Sequence, residues 1–268
     1  MEIELDYAQA CKLLLPSYES IGLVLVGCGG TGSWLAPSLA RVGRLLREKF
    51  QKKVMIFFVD PDAVEGKNVY RQNFCDAEVG MNKAISLAYR YGLAWGMDIM
   101  AIPKAFEGSY FPRDFELNIM VGCVDRAGAR QDIAGFISNR SRAWWLDCGN
   151  FKAAGQVLLG GGDRYSDRDP FQLPGYCSRL PIPSVQHPEL LQEEIWIPES
   201  EAGLSCADLA MRDSQGLAIN QRVAAEASDY LVRMLLTRDL QKMATYIDLA
   251  SGSSRSIYIT PESIKTGG

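Results

Sequence analysis

The run Ile21-Gly-Leu-Val-Leu-Val26 passes directly into Gly27-Cys-Gly-Gly-Thr-Gly32, and few architectures can hold that junction. A buried strand that breaks into a Gly-rich turn and opens a helix points unpaired backbone N–H groups at an anion. The helix dipole adds to the attraction. Glycines are needed because the turn is tight and the ligand comes close to the backbone. Trp34–Leu46 then carries apolar Leu35, Leu39, Val42 and Leu46 at helical spacing,. A second apolar run, Val54-Met-Ile-Phe-Phe-Val59, ends in Asp60-Pro-Asp62. An acid at that strand end is placed to accept hydrogen bonds from ribose hydroxyls. The unit predicts a nucleotide site on Gly27, Gly29, Gly30, Thr31, Gly32, Asp60 and Asp62.

A dinucleotide is the first candidate, and two features argue against NAD. The acid follows such glycines by about 20 residues in dinucleotide sites; here the charged segment Arg44–Lys53 lengthens the connection. More telling are Arg71 and Lys83, two cations close behind the glycines. They suit a triphosphate, whose charge must be neutralised while pyrophosphate leaves.

These residues, with Asn68, Gln72 and Val79-Gly80-Met-Asn-Lys83, resemble the signature of the ThiF/MoeB/ubiquitin-activating-enzyme superfamily. Ile119-Met-Val-Gly-Cys-Val-Asp125-Arg126, with Arg130 beyond it, is similar to that family's Cys-x-Asp-Asn segment. The resemblance covers residues 20–240. It implies an α/β fold: a doubly wound, mostly parallel Rossmann-like sheet with a crossover loop. It implies adenylation, by ATP with Mg²⁺, of the C-terminal glycine carboxylate of a small ubiquitin-like protein. Residue by residue, the glycines hold phosphate and Asp60 holds ribose. Arg71 and Lys83 bind the triphosphate, Asp125 binds magnesium, and Asn68 and Gln72 line the same pocket. A conjugating enzyme is a further implied partner, and a homodimer is the implied assembly.

The chemistry suits the residues present. A carboxylate is already ionised at neutral pH and needs no general base. Mg²⁺ is satisfied by one or two carboxylates with phosphate oxygens, so Asp125 suffices. One histidine, His187, would be a severe shortage for a hydrolase but not here. Three departures stand out: the charged insertion, Arg126 in place of asparagine, and no arginine before Arg41 to reach into a partner's site, so that contact is absent or Lys12 replaces it. With them the chain resembles the ThiF-type proteins of PRTRC systems.

A net charge of −4, from 28 basic and 32 acidic residues, gives no electrostatic case for nucleic acid,. That argues against a tRNA-modifying dehydratase of the same superfamily. Intact Arg71, Lys83 and Asp125 argue against a non-catalytic scaffold subunit. No apolar stretch approaches the ~20 residues needed to span a bilayer. Seven scattered cysteines fit reduced thiols in a cytoplasmic protein,. None forms a Cys-x-x-Cys pair, so the structural zinc of many relatives is not expected.

The chain reads as one adenylation domain over 1–268. Helices are expected at Tyr7–Leu15, Val79–Trp95, Ala129–Asn139 and Ala218–Leu236. Strands are expected at Asp98–Ile102, Asn118–Cys123, Ala143–Asp147 and Ala154–Leu159. An irregular crossover follows at about 160–206, and a terminal hairpin pairs Tyr246–Leu249 with Ser256–Ile259. Two cysteines are candidates to take the acyl group from AMP. Cys206 lies in the crossover just before the last long helix; if it opens a short helix, that dipole lowers its pKa and favours thiolate, and its placement resembles the cysteine that ThiF uses. Cys177, in Pro174-Gly-Tyr-Cys-Ser178, resembles the crossover cysteine of eukaryotic activating enzymes. The alternative is an enzyme that stops at the adenylate, for sulfur-carrier activation.

Overall fold

The computed structural model describes residues 6–111, 115–140, 142–151, 153–162, 169–193 and 206–266, without the side chains of 6, 110, 206–215 and 266. In chain order the elements are α1 (Asp6–Gln9), β1 (Lys12–Leu13), β2 (Ser20–Val26), α2 (Gly30–Phe50) and β3 (Lys53–Val59). Next come α3 (Lys83–Trp95), β4 (Ile99–Ile102), β5 (Leu117–Gly122), α4 (Ala127–Ser138), β6 (Ala143–Phe151) and β7 (Ala154–Gly162). The remainder are β8 (Tyr176–Cys177), β9 (Arg179–Leu180), α5 (Pro183–Gln186), α6 (Cys206–Val232), β10 (Lys242–Asp248), β11 (Ser253–Tyr258) and α7 (Pro261–Thr266).

The main sheet has the order β11-β10-β7-β6-β5-β2-β3-β4, with β9 paired to β7. From β4 to β6 every pairing is parallel; β7, β10 and β11 are antiparallel to their neighbours. The parallel strands are almost wholly apolar because both faces are covered. Leu23, Leu25, Ile56 and Phe58 pack under α2, α3 and α6. Val24, Val26, Phe57 and Met120 pack against α4 on the other side. The chain leaves β2 toward β3 and β4, then returns to β5 and β6 on its other side. The strand order therefore reverses at β2 and β5, and in open α/β sheets ligands bind beyond the carboxyl ends of the strands at such a point,. Among the described residues no helix is long and apolar enough to cross a membrane.

Several local expectations change. Tyr7–Leu15 is not one helix: α1 is a single turn, and the next backbone N–H groups bond elsewhere, Cys11 to Ile259 O and Leu13 to Leu240 O. The charged Arg44–Lys53 segment is the end of α2 and the start of β3, not a separate insertion. The helix expected from Val79 starts at Lys83, because Asn82 caps it by accepting the Ile85 N–H at 3.1 Å,. The antiparallel half of the sheet was anticipated only at its terminal hairpin. Within the stretch expected to be irregular, β8, β9 and α5 are ordered against β1 and β7; residues 163–168 and 194–205 lie outside the described residues.

Candidate active site

Gly27 leaves β2 at φ +87°, and a Cβ there would lie 2.4 Å from the Cys123 carbonyl oxygen. Gly32 is tighter still, with its would-be Cβ 1.9 Å from Gly27 O. These two positions let the turn fold back on itself and start α2 at Gly30. Ser33 N makes the first bond of that helix, to Gly29 O. The N–H groups of Gly30, Thr31 and Gly32 have no acceptor among the described residues, as the first turn of a helix requires,. N–H groups so exposed at a helix start are able to receive an anion.

Asp60, at the end of β3, is bonded into this turn. Its Oδ2 accepts the Cys28 N–H at 2.6 Å and its Oδ1 accepts the Asp62 N–H at 2.9 Å. Burial pushes its carboxyl above the ordinary range, against the pull of those two N–H groups and of Lys83. Asp60 therefore braces the glycine turn itself, and the remaining lone pairs are what it can offer a ribose. Lys83, the first residue of α3, is buried and sets its Nζ 3.1 Å from Asp62 Oδ2. Asp62 is thus the counter-ion of Lys83. Two further ammonium hydrogens remain for a phosphate.

The loop between β3 and α3 brings the rest. Asn68 is buried, and its Oδ1 is committed to the Glu65 N–H, while its carbonyl oxygen accepts the Arg71 and Gln72 N–H groups. It shapes the turn that carries Arg71. The Arg71 carbonyl accepts the Trp34 indole N–H at 3.3 Å. Gln72 lies over Gly29, and its Oε1 is buried without a hydrogen-bond partner. Asp125 sits just past β5, exposed, with no hydrogen bond or ion pair among the described residues. A single open carboxylate just past β5, the strand paired with β2, is of the kind that fits Mg²⁺, which completes its shell with water and phosphate oxygens,. No group of three or more His, Cys, Asp or Glu side chains could hold a metal among the described residues.

Sequence reading missed the residues that tie these parts together. Pro37 lies inside α2 and cannot donate to Ser33 O,. The freed carbonyl accepts Asn73 Nδ2 at 3.3 Å, and Ser33 Oγ accepts the Asn73 N–H at 2.9 Å. A proline four residues after a serine in an otherwise helical pattern was the available signal. Thr31 is bound by Asn150 of β6 and Asn220 of α6; nothing local in the sequence joins these three.

The two candidate cysteines separate. Cys177 is buried in β8, donates its thiol to Arg179 O at 3.1 Å, and has its pKa pushed up by burial to about 11. That is the setting of a packed thiol held in its protonated form. Cys206 is the first residue of α6, and its side chain lies outside the described residues.

The profile of the ThiF family matches residues 11–160. A search of curated proteins found no significant match. Among solved structures, E. coli MccB with ATP superposes with a TM-score of 0.56 at 15% identity, over 92% of this chain and 67% of that one. E. coli MccB with AMPCPP and selenomethionyl MccA gives 0.55 at 14%, over 90% and 64%. Selenomethionyl PaaA gives 0.51 at 16%, over 89% and 64%. The chain spans about two thirds of the length of these structural relatives. At such identities the likeness is one of fold.

Proposed function

Because the chain belongs to the ThiF family, we propose that it is one adenylation domain that activates the C-terminal glycine carboxylate of a small ubiquitin-like protein with MgATP. The observation that supports this reading is the run of N–H groups at Gly30–Gly32 without acceptors among the described residues, with Asp60 bonded into the same turn and Lys83 paired with Asp62 beside it. A substrate carboxylate oxygen attacks the α-phosphorus. The bond from that phosphorus to the bridging oxygen breaks, and pyrophosphate leaves with its electron pair. No proton moves, so no base is needed. Lys83 and Arg71 offset the charge of the triphosphate, and the N–H groups of Gly30–Gly32 fix its position. Mg²⁺ held by Asp125 would neutralise the departing pyrophosphate.

A second step follows on Cys206. Its thiolate attacks the acyl carbonyl carbon, the bond to AMP breaks, and the thiol proton is lost to solvent. The start of α6 at Cys206 supports this, since a helix N-terminus favours thiolate,. The buried state of Cys177 supports giving the role to Cys206. The reading extends to a homodimer, with a conjugating enzyme as the next acceptor in a reducing cytoplasm.

ATP–pyrophosphate exchange with the cognate partner tests the reading. Calorimetry that finds tight NAD binding and no ATP binding would sink it. With partner and ATP, the protein forms a thiol-sensitive adduct on non-reducing gels. Cys206→Ala loses the adduct yet keeps exchange. Survival of the adduct in Cys206→Ala ends the assignment of that cysteine.

A further inference from the structure

Asn150 stands past the end of its neighbouring strand: Gly122, the last residue of β5, pairs with Asp147, and β6 runs on to Phe151. Asn150 is exposed, yet two buried side chains hold its carboxamide. Its Nδ2 donates to Thr31 Oγ1 at 2.7 Å and to Asn220 Oδ1 at 2.8 Å. Thr31 Oγ1 donates to the same Asn220 oxygen at 3.2 Å.

The orientation of these amides follows from their surroundings. Asn220 Nδ2 faces the Arg71 carbonyl oxygen at 3.5 Å; turning that amide round would set oxygen against oxygen. Asn220 Oδ1 must then face Thr31 and Asn150, and Asn150 can meet it only with Nδ2. Both Asn150 amide hydrogens are consumed inside the protein. Its Oδ1 is left as an acceptor with no partner among the described residues, beside the glycine turn to which Thr31 belongs.

An acceptor oxygen in that place does not suit a phosphate, whose oxygens are acceptors too. It is also remote from a ribose held by Asp60. The β3 strand end lies three strands away across β2 and β5, about 14 Å at ordinary spacing,. Metal-bound water falls to Asp125, and an N–H of the acyl substrate is a donor that no residue described above serves. Resting on the adenylation reading above, we infer that Asn150 Oδ1 accepts the backbone N–H of the residue that carries the reacting carboxylate. Asn150 is then a binding residue for the substrate's chain end, and Thr31 and Asn220 are positioning residues that aim it.

The test compares two probes in ATP–pyrophosphate exchange. One is a pool of random synthetic hexapeptide acids. The other is the same pool with an ester oxygen in place of the last N–H. The wild type exchanges about tenfold faster with the amide pool, the value of one hydrogen bond. In Asn150→Ala the two pools become equal within about twofold, while thermal melting and calorimetric affinity for a non-hydrolysable ATP analogue stay close to wild type. Equal rates for both pools in the wild type overturn the inference, without any variant being needed. So does a tenfold preference that survives in Asn150→Ala. Loss of analogue binding in Asn150→Ala also overturns it, because Asn150 would then serve the phosphate loop. If the wild type itself binds no analogue, it is the adenylation reading that fails; if it binds analogue and exchanges with neither pool, this inference alone fails.

Discussion

A methyl group at Gly32 would lie 1.9 Å from the Gly27 carbonyl oxygen. Gly32→Ala is therefore expected to cost at least about 2 kcal/mol of stability and to abolish nucleotide binding, read by thermal melting and calorimetry. Asp125 is the opposite case, an open side chain that the fold does not use. Asp125→Ala should lower pyrophosphate exchange at least a hundredfold, on the scale of lost transition-state charge stabilisation, with an unchanged melting temperature; retained exchange would remove Asp125 from the magnesium site. Asp147 is buried in β6 against Arg130 at 3.3 Å, and burial pushes its pKa up to about 6 from an ordinary 3.8, against the pull of Arg130 and His187. The folded state thus holds this proton more tightly than the unfolded chain. The stability it contributes is complete below about pH 4 and is lost as pH rises through about 6. Asp147→Asn should remove that slope between pH 4 and 6 in urea titrations, at the cost of leaving Arg130 without its carboxylate.

At the scale of elements, α3 is set by one residue with three tasks. Asn82 caps the helix through Ile85 N–H, and its Nδ2 donates to Asp60 O at 2.8 Å and Asp62 O at 3.0 Å. Asn82→Ala should cost about 1 kcal/mol in urea unfolding and weaken ATP binding, because Lys83 and the Asp60–Asp62 turn lose their common anchor. Unaltered ATP affinity would show that the anchor is dispensable. The sequence made the strand-turn-helix unit legible because its demands are local: a Gly turn, a helical period, an acid at a strand end. Leu35, Leu39, Val42 and Leu46 are all buried, as their spacing requires. What escaped depends on distant partners. The last turns of α2 read as an insertion because their charges are solvated on a helix whose buried face is already supplied. The backbone bonds of residues 11 to 14 go to partners more than one hundred and sixty residues away, so no periodicity announces them. Asn150 and Asn220 gave no signal, since a lone asparagine at a strand end or in a helix is ordinary surface chemistry until its partner is known.

The whole molecule divides its sheet between a parallel half that carries the glycine turn and an antiparallel half joined by hairpins. Light scattering at micromolar concentration should give twice the 29.6 kDa of one chain; a monomeric particle would contradict the homodimer. The junction of Thr31, Asn150 and Asn220 has a consequence in time as well as in space. Thr31 and Asn220 are separated by 189 positions, and Thr31 and Asn150 by 119. Closing such loops costs more entropy than closing a hairpin, and contacts so remote form late. Synthesis delivers the glycine turn 189 positions before Asn220,. In stopped-flow refolding, helical signal should therefore precede recovery of nucleotide binding. A chain released before Asn220 would hold the whole sequence of the phosphate turn and still present it unfinished.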